Sequence, residues 1–503
     1  MSFVPPIKAG WNSLDFSLNA AKLRPVLASS PGIKMSNQFM LFGEPASCGP
    51  FLRRPNASSL AGGLLILLFL VLPVTTASSA VVNGGGGFPP PTYTVNPLSA
   101  QPAMGFASGW RNGLNWNDVA TVTATPFPGY AFDHWTDGST ILSSSAQYSF
   151  AVVRDVTLLA VFRTLFPNTS TFSGLFYDAS GIELHSSGSF TFTATPLGKF
   201  SGKLQVAATS YSMTGQFDSD GHALAAAHAN RTNALTVEMK ILSDDPDRIS
   251  GTVSAATWSA DLAADRNVFN ARTNPAPAAG SYTLVVPGMP DSVTEPAGHG
   301  YGVLTVDKAG KILFVGSLAD GAKVSQGATL SKDGQWPLYI PLYHGQGSLT
   351  SWLTFSNGPT EDFSGQLTWI KSAGAPGKLY QTGFSTETRV SGSAYHKPQI
   401  GQAVLGLETC QMSFQGGDLE AELSSEGHFN RSNSLTTTSN QVRVTFNAAT
   451  GLFKGHFVNP ADSRKIPFGG VALQKANMAR GYFLGNDQSG AVEVDPSPPP
   501  TGP

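Results

Sequence analysis

A short glycine-centred pattern recurs at a fixed distance along the chain, and this recurrence limits the possible folds more than any other feature. Phe200-Ser201-Gly202-Lys203-Leu204 returns as Phe314-Val315-Gly316-Ser317-Leu318, and Ile249-Ser250-Gly251 returns as Phe363-Ser364-Gly365, both displaced by 114 positions. Two independent landmarks displaced equally mark a duplicated domain. The flanks follow, with Gly188-x-Phe190-x-Phe192 answered by Gly302-x-Leu304-x-Val306, and Ser219-Asp220-Gly221 by Lys332-Asp333-Gly334.

Within the repeated stretch, Phe200, Gly202, Leu204 and Val206 share one parity and Ser201, Lys203 and Gln205 the other. This period of two is the signature of a half-buried strand, with glycine on the inward side. The same split holds in residues 363–369 and in a more distant motif, Phe453-Lys454-Gly455-His456-Phe457. Glycine weakens a strand, so its repeated inward placement calls for a bend or room for a bulky neighbour, both features of a curled sheet. Lys203 and Ser317, on the other parity, are read as solvent-facing. Between 172 and 264 about eight short runs at turn-separated spacing predict an antiparallel meander barrel or strongly curled sheet per copy, with a two-sheet sandwich as the rival.

Composition narrows the partners. Charged residues make up 13% of the 503 residues and the formal net charge is −2, so no basic stripe exists to neutralise phosphates, and nucleic acid is excluded as a partner. Cysteine is limited to Cys48 and Cys410. Cys48 precedes the apolar leader and leaves with it, so Cys410 is read as a buried structural thiol without a disulfide partner.

Residues 64–72 are an unbroken apolar run preceded by Arg53-Arg54 and followed by Pro73 and Ser78-x-Ala80. That order of basic, apolar and small residues is an export signal, and the run is shorter than the ~20 residues that span a bilayer. The expected location is secreted or at the cell surface, with anchoring through residues 61–80 as the alternative. Met35 and Met40 are candidate alternative starts.

One segment has a family resemblance. Val119-Ala120-Thr121-Val122-Thr123-Ala124-Thr125-Pro126, Gly129-Tyr130-Ala131-Phe132-Asp133-His134-Trp135, Tyr148-Ser149-Phe150 and Thr157-Leu158-Leu159-Ala160-Val161-Phe162 together resemble the divergent internalin B-repeat of bacterial surface proteins. The resemblance implies a small β-grasp-like domain without catalytic residues. Its first hairpin departs from the pattern, carrying Met104, Trp110 and Trp116 where such repeats are commonly Gly-rich. Trp135 reads as a core aromatic. The remainder is similar, more weakly, to unassigned β-rich modules of large secreted bacterial proteins, most clearly around Phe468-Gly469-Gly470-Val471 and Gly481-Tyr482-Phe483.

The expected fold class is therefore all-β: a small β-grasp-like repeat domain followed by duplicated antiparallel meander barrels or strongly curled sheets. The boundaries are a leader at 1–80, a Gly/Pro linker at 81–92, the repeat-like domain at 93–165, barrel copies at 170–271 and 280–395, a C-terminal β domain or barrel completion at 396–494, and a disordered tail at 495–503.

No nucleophile elbow, zinc-protease helix or phosphate loop is present, and the nine histidines are read as residues of turns and strand ends. Asp218-Ser219-Asp220-Gly221 lacks the further acidic ligands of a calcium loop and reads as a hairpin turn; Asp244-Asp245-Pro246-Asp247 is read alike. No metal or cofactor is expected. Trp336, Trp352 and Trp369 form a candidate sugar-stacking set, in which Trp369 shares the inward parity and Trp336, beside Pro337 after a turn, is the better exposed, so the binding candidates are Trp336 and Trp352. The leading expectation is a non-catalytic, exported, multidomain β protein for adhesion, recognition or spacing, with an extracellular glycan or protein as partner. A small-ligand-binding barrel is the alternative, and an extracellular glycan hydrolase is the least favoured.

Overall fold

The computed structural model describes residues 89–497 except 232, 291, 431, 432 and 440. The leader, most of the first linker and residues 498–503 lie outside the described residues. The described chain is all-β, a small two-layer domain followed by three eight-stranded units. No helix among the described residues is long and apolar enough to cross a membrane.

In the small domain, Gly105–Ser108, Val119–Pro126 and Gln147–Ala151 form a three-stranded sheet. It covers a five-stranded sheet in which the first strand, Tyr93–Ser99, runs parallel to the last, Val156–Thr164. Alternation puts Ala120, Val122 and Ala124 between the layers, and Trp135, fully buried there, donates its indole N–H to the carbonyl of Ala146 at 3.2 Å. The chain then enters the first barrel through Leu165 and Phe166, which belong to that barrel's core.

The first barrel is a closed meander of Ser170–Tyr177, Gly188–Ala194, Lys199–Val206, Thr209–Gln216, His222–His228, Ala234–Ile241, Arg248–Ser254 and Ser259–Arg266. Aromatic rings fill it: Phe172 and Phe192 stack at 4.9 Å, and Phe200 meets Phe192 at 5.8 Å and Phe217 at 5.2 Å. Gly202 makes that stack possible. A Cβ there would press on Phe192 and lie 2.7 Å from the Thr191 carbonyl and 2.9 Å from Met213, so the strand takes glycine against its own propensity.

The second unit runs Gly280–Val286, Gly300–Val306, Lys311–Ser317, Lys323–Thr329, Gln335–Leu342, Gly347–Phe355, Phe363–Lys371 and Phe384–Ala394. The offset of 114 maps the second, third and seventh strands of one unit onto those of the next. This unit is not closed by a strand ladder, because Lys323–Thr329 and Gln335–Leu342 are edge strands of its sheet. Pro337 and Pro341 explain the opening: the Pro337 carbonyl points across the seam, so its ring nitrogen does too, and it has no hydrogen to donate.

Residues Thr409–Gly416 to Ser489–Pro496 form a third unit, a closed eight-stranded barrel of its own rather than a completion of the second. Its last strand extends to Pro496, so the start of the expected disordered tail is paired sheet. Cys410 is buried in its core, and burial, assisted by Asp495, pushes the thiol up to about 11.

Polar clamps join the barrels. Between the first and second, Arg248 pairs with Asp333 at 3.5 Å and Lys332 with Asp245, while the Arg248–Asp265 pair at 3.1 Å and the Arg266–Asp247 pair at 2.6 Å order the first barrel's side of the contact. The Asp244-Asp245-Pro246-Asp247 string thus meets the Lys332-Asp333 turn of the duplicate. Burial holds the Asp265 carboxyl above its usual range, although Arg248 pulls the other way. Between the second and third, Ser317 bonds Tyr482 at 2.6 Å, Thr283 donates to the Ala472 carbonyl at 2.7 Å, and His299 Nε2 meets Glu493 at 2.9 Å. Ser317 was expected to face solvent; it is buried because the end of its strand meets Tyr482 of the third barrel, while Leu313 and Val315 on the same face stay exposed. His299 likewise serves an interface rather than a turn.

Candidate functional site

Eight strands enclose just enough space for side chains or one small ligand. Here side chains occupy the interiors, with the phenylalanine stack in the first, Phe355, Phe363 and Trp336 in the second, and Phe414, Phe457 and Phe483 in the third. Ligand contact therefore falls to outer surfaces.

Two of the three tryptophans expected as a stacking set lie inside the second barrel. Trp336 is 0% exposed, and its indole N–H donates to Gln326 Oε1 at 2.9 Å. The expectation that it stands exposed after its turn fails, because Trp336 shares inward parity with Leu338, Ile340 and Leu342. Trp369 is also core, donating to the Tyr343 hydroxyl at 3.1 Å. Trp352 pairs with Pro337, one register step from Trp336, and so points outward. It is half-buried in a cleft of about 390 Å³ shared with Arg248 and Asp265 of the first barrel. Trp336 and Trp352 thus occupy opposite faces and cannot grip one ligand. Asp218 forms the expected hairpin turn, accepting from the N–H of Asp220 at 2.9 Å and of His222 at 2.8 Å. No cluster of metal-ligating side chains occurs among the described residues.

The exposed aromatic residues are elsewhere. Among the described residues, every phenylalanine or tryptophan that is exposed lies between 106 and 127: Phe106 (48%), Trp110 (58%), Trp116 (65%) and Phe127 (39%). They gather at the two ends of the strand Val119–Pro126. Phe106 pairs with Thr125, and its ring lies 6.1 Å from that of Phe127. At the other end, Trp116 precedes exposed Val119, and the N–H of Asn117 bonds the carbonyl of Val152, beside exposed Val153. Trp110 follows Gly109, which lies against Thr121 and Val122.

Both indoles are held out by turns. Gly109 adopts φ +102°, which a side chain disfavours, and a Cβ there would strike the Thr121 carbonyl. Trp116 sits in a turn closed by Asp118, whose carboxylate accepts the N–H of Asn115 at 2.7 Å, while Asn117 takes φ 71°. Between the aromatic ends the face is neutral: Thr121, Thr123 and Thr125 down the middle, Ser108 on one side, Gln147 and Ser149 on the other. Thr121 and Ser149 hydroxyls bond at 2.8 Å. Sequence reasoning saw Trp110 and Trp116 as departures from a Gly-rich hairpin without making them site residues. Large aromatics in a turn-rich segment were the available signal.

No curated protein sequence matches the chain significantly. Among solved structures, the intact N and C lobes of Ap-TbpB align at 12% identity over 84% of this chain and 98% of that one, with a TM-score of 0.18. A variant of transferrin binding protein B from Haemophilus parasuis aligns at 11% over 78% and 85%, with a TM-score of 0.18. An endo-1,5-alpha-L-arabinanase from Thermotoga petrophila aligns at 8% over 64% and 82%, with a TM-score of 0.17. At scores this low neither architecture nor activity transfers. The specific finding is local: residues 96–165, the segment that carries all four exposed aromatics, match the family model described as the divergent InlB B-repeat domain.

Proposed function

We propose that the chain is a non-catalytic, exported β protein that recognises a partner outside the cell through the outer face of its B-repeat domain, with the three barrels as a stiff body behind it. The observation that carries this reading is the confinement, among the described residues, of exposed phenylalanine and tryptophan to residues 106–127. Exposed aromatic clusters on soluble domains mark interaction sites, and the barrels spend their aromatics on filled interiors and mutual clamps. The apolar run at 64–72 behind Arg53-Arg54 supports export to the cell surface or medium. The filled interiors weigh against a small-ligand carrier. The carboxylates Asp245, Asp247, Asp265 and Asp333, which converge between barrels, are engaged by Lys332, Arg248 and Arg266, which weighs against a hydrolase.

Two measurements test the proposal. Protease treatment of intact cells, followed by fractionation, should find the protein accessible outside; recovery in the cytosol overturns export. Arrays of glycans and proteins probed with the full chain should give binding that the Trp110→Ala/Trp116→Ala variant loses; binding that survives this change moves recognition elsewhere on the molecule.

A further inference from the structure

Resting on that reading, the chemistry of the face narrows the partner class. Its outward residues from Phe106 to Ser108, Val119 to Thr125 and Gln147 to Ala151 include no charged side chain. A polyanion or polycation would find nothing to pair with there. The central strand Val119–Pro126 is already paired on both sides, so a ligand lying along the aromatic row meets side chains and no open backbone ladder. What remains is a row of hydroxyls and one amide with aromatic rings at both ends. The hydroxyls of Thr123 and Thr125 make no hydrogen bond to any described residue, and Gln147 is exposed. From Val119 to Thr125 the row spans about 20 Å at ~3.3 Å per residue. Its polar groups both donate and accept, which matches a polymer of hydroxyls, while flat aromatic faces match the C–H faces of sugar rings.

We infer that the outer face of the three-stranded sheet Gly105–Ser108, Val119–Pro126 and Gln147–Ala151 binds a neutral polysaccharide in extended form. The rings of Trp110 and Trp116 at one end, and of Phe106 and Phe127 at the other, stack on sugars. Thr121, Thr123, Thr125 and Gln147 hydrogen-bond the chain between them. Gly109 and the Asp118-closed turn fix the backbone that carries the indoles, so no loop has to order when the ligand arrives.

The test is affinity electrophoresis of the full chain through gels cast with galactomannan, mixed-linkage β-glucan, dextran or starch, beside gels cast with polygalacturonate. At least one neutral polymer should retard the wild type. Its dissociation constant should rise about tenfold or more in Trp110→Ala and in Trp116→Ala, as for central aromatic contacts, and should stay near wild type in Trp110→Phe. Thr123→Val, which keeps shape and removes a hydroxyl, should weaken retardation. Leu313→Ser, on the second barrel, should not. Retardation by no neutral polymer, or by polygalacturonate alone, overturns the inference, as do alanine variants that migrate like wild type. If the full chain binds array proteins through Trp110 and Trp116 while every neutral gel leaves it unretarded, the polysaccharide assignment falls and the recognition reading stands.

Discussion

The side-chain amide of Gln326 donates to the carbonyl of Pro337 at 3.1 Å, across the seam where the second barrel lacks a strand ladder. The same amide reaches the Tyr339 carbonyl at 3.3 Å, and its oxygen accepts the Trp336 indole at 2.9 Å. One side chain thus satisfies two carbonyls of the edge strand Gln335–Leu342 that the missing ladder would otherwise leave open. Gln326→Leu should cost about 2 to 4 kcal/mol, since two carbonyls and the indole N–H of a fully buried tryptophan lose their partner. Urea melts followed by tryptophan fluorescence check it, and a loss below about 0.5 kcal/mol would mean that water closes the seam instead.

The inward glycines give a second expectation. Gly202→Val should destabilise by roughly 1 to 3 kcal/mol through overpacking, in spite of the strand preference of valine. Lys203→Ala, on the exposed parity, should stay within about 0.5 kcal/mol. Ser317→Ala should exceed that, because its hydroxyl bonds both Tyr482 and Lys323 Nζ, the latter at 2.8 Å. Parallel melts of the three variants decide whether the two parities differ as described.

Much of this architecture was legible because parity and offset are properties of sequence. Phe200 and Phe314 fall in equivalent third strands, and Ile249 and Phe363 in equivalent seventh strands. The third barrel escaped as a copy because its Phe453-Lys454-Gly455 motif lies in a fifth strand, so no constant displacement links it to the others. Trp336 was misplaced for a local reason. Pro337 after a turn suggests exposure, but a proline is tolerated in a barrel strand when its nitrogen faces an open seam. The exposure of Trp110 and Trp116 depends on the backbone turns at Gly109 and Asn117, which set where a side chain points but leave no periodic trace.

Acid should loosen the contact between the second and third barrels. The hydrogen bond from His299, with Arg480 nearby, holds the Glu493 carboxyl below its usual range. A depressed carboxyl stabilises the folded state above its unfolded pKa of about 4.3, and that contribution is lost as pH falls through the folded value. Asp265, held high by burial, has the opposite sign: ionising it costs stability, so its protonation on acidification favours the folded state. Thermal melts of wild type between pH 6 and pH 3 should therefore decline more steeply than those of Glu493→Gln. Equal acid limbs would show that this pair does not set the response.

Cys410 offers a reporter of the third barrel. Its thiol is buried and pushed up to about 11, so little thiolate exists at neutral pH to attack an alkylating reagent. Native protein treated with iodoacetamide at pH 7.5 should leave Cys410 unlabelled by peptide mass mapping, and labelling should appear at the denaturant concentration that opens this barrel. Rapid native labelling would place the thiol at an accessible surface.

Lys371 presents the sharpest energetic test. Its ammonium group is fully buried, donating to the Leu379 carbonyl at 2.7 Å and facing Asp320 Oδ2 at 3.5 Å. The Tyr343 hydroxyl donates to the same carboxylate oxygen at 2.6 Å, and burial together with the Asp320 charge raises its pKa. Removing one member strands the other: Lys371→Met leaves an uncompensated buried carboxylate and should cost about 3 to 5 kcal/mol. Asp320→Asn keeps one acceptor oxygen for the Ala322 N–H, which now bonds Asp320 Oδ1 at 3.0 Å, and turns the other position into an amide N–H that the Tyr343 hydroxyl can accept. Adding it to Lys371→Met should therefore return part of the loss, because no net charge then remains in the pocket. A double-mutant cycle by urea melts measures the coupling, and strict additivity of the two changes would show that the ammonium and the carboxylate do not stabilise one another.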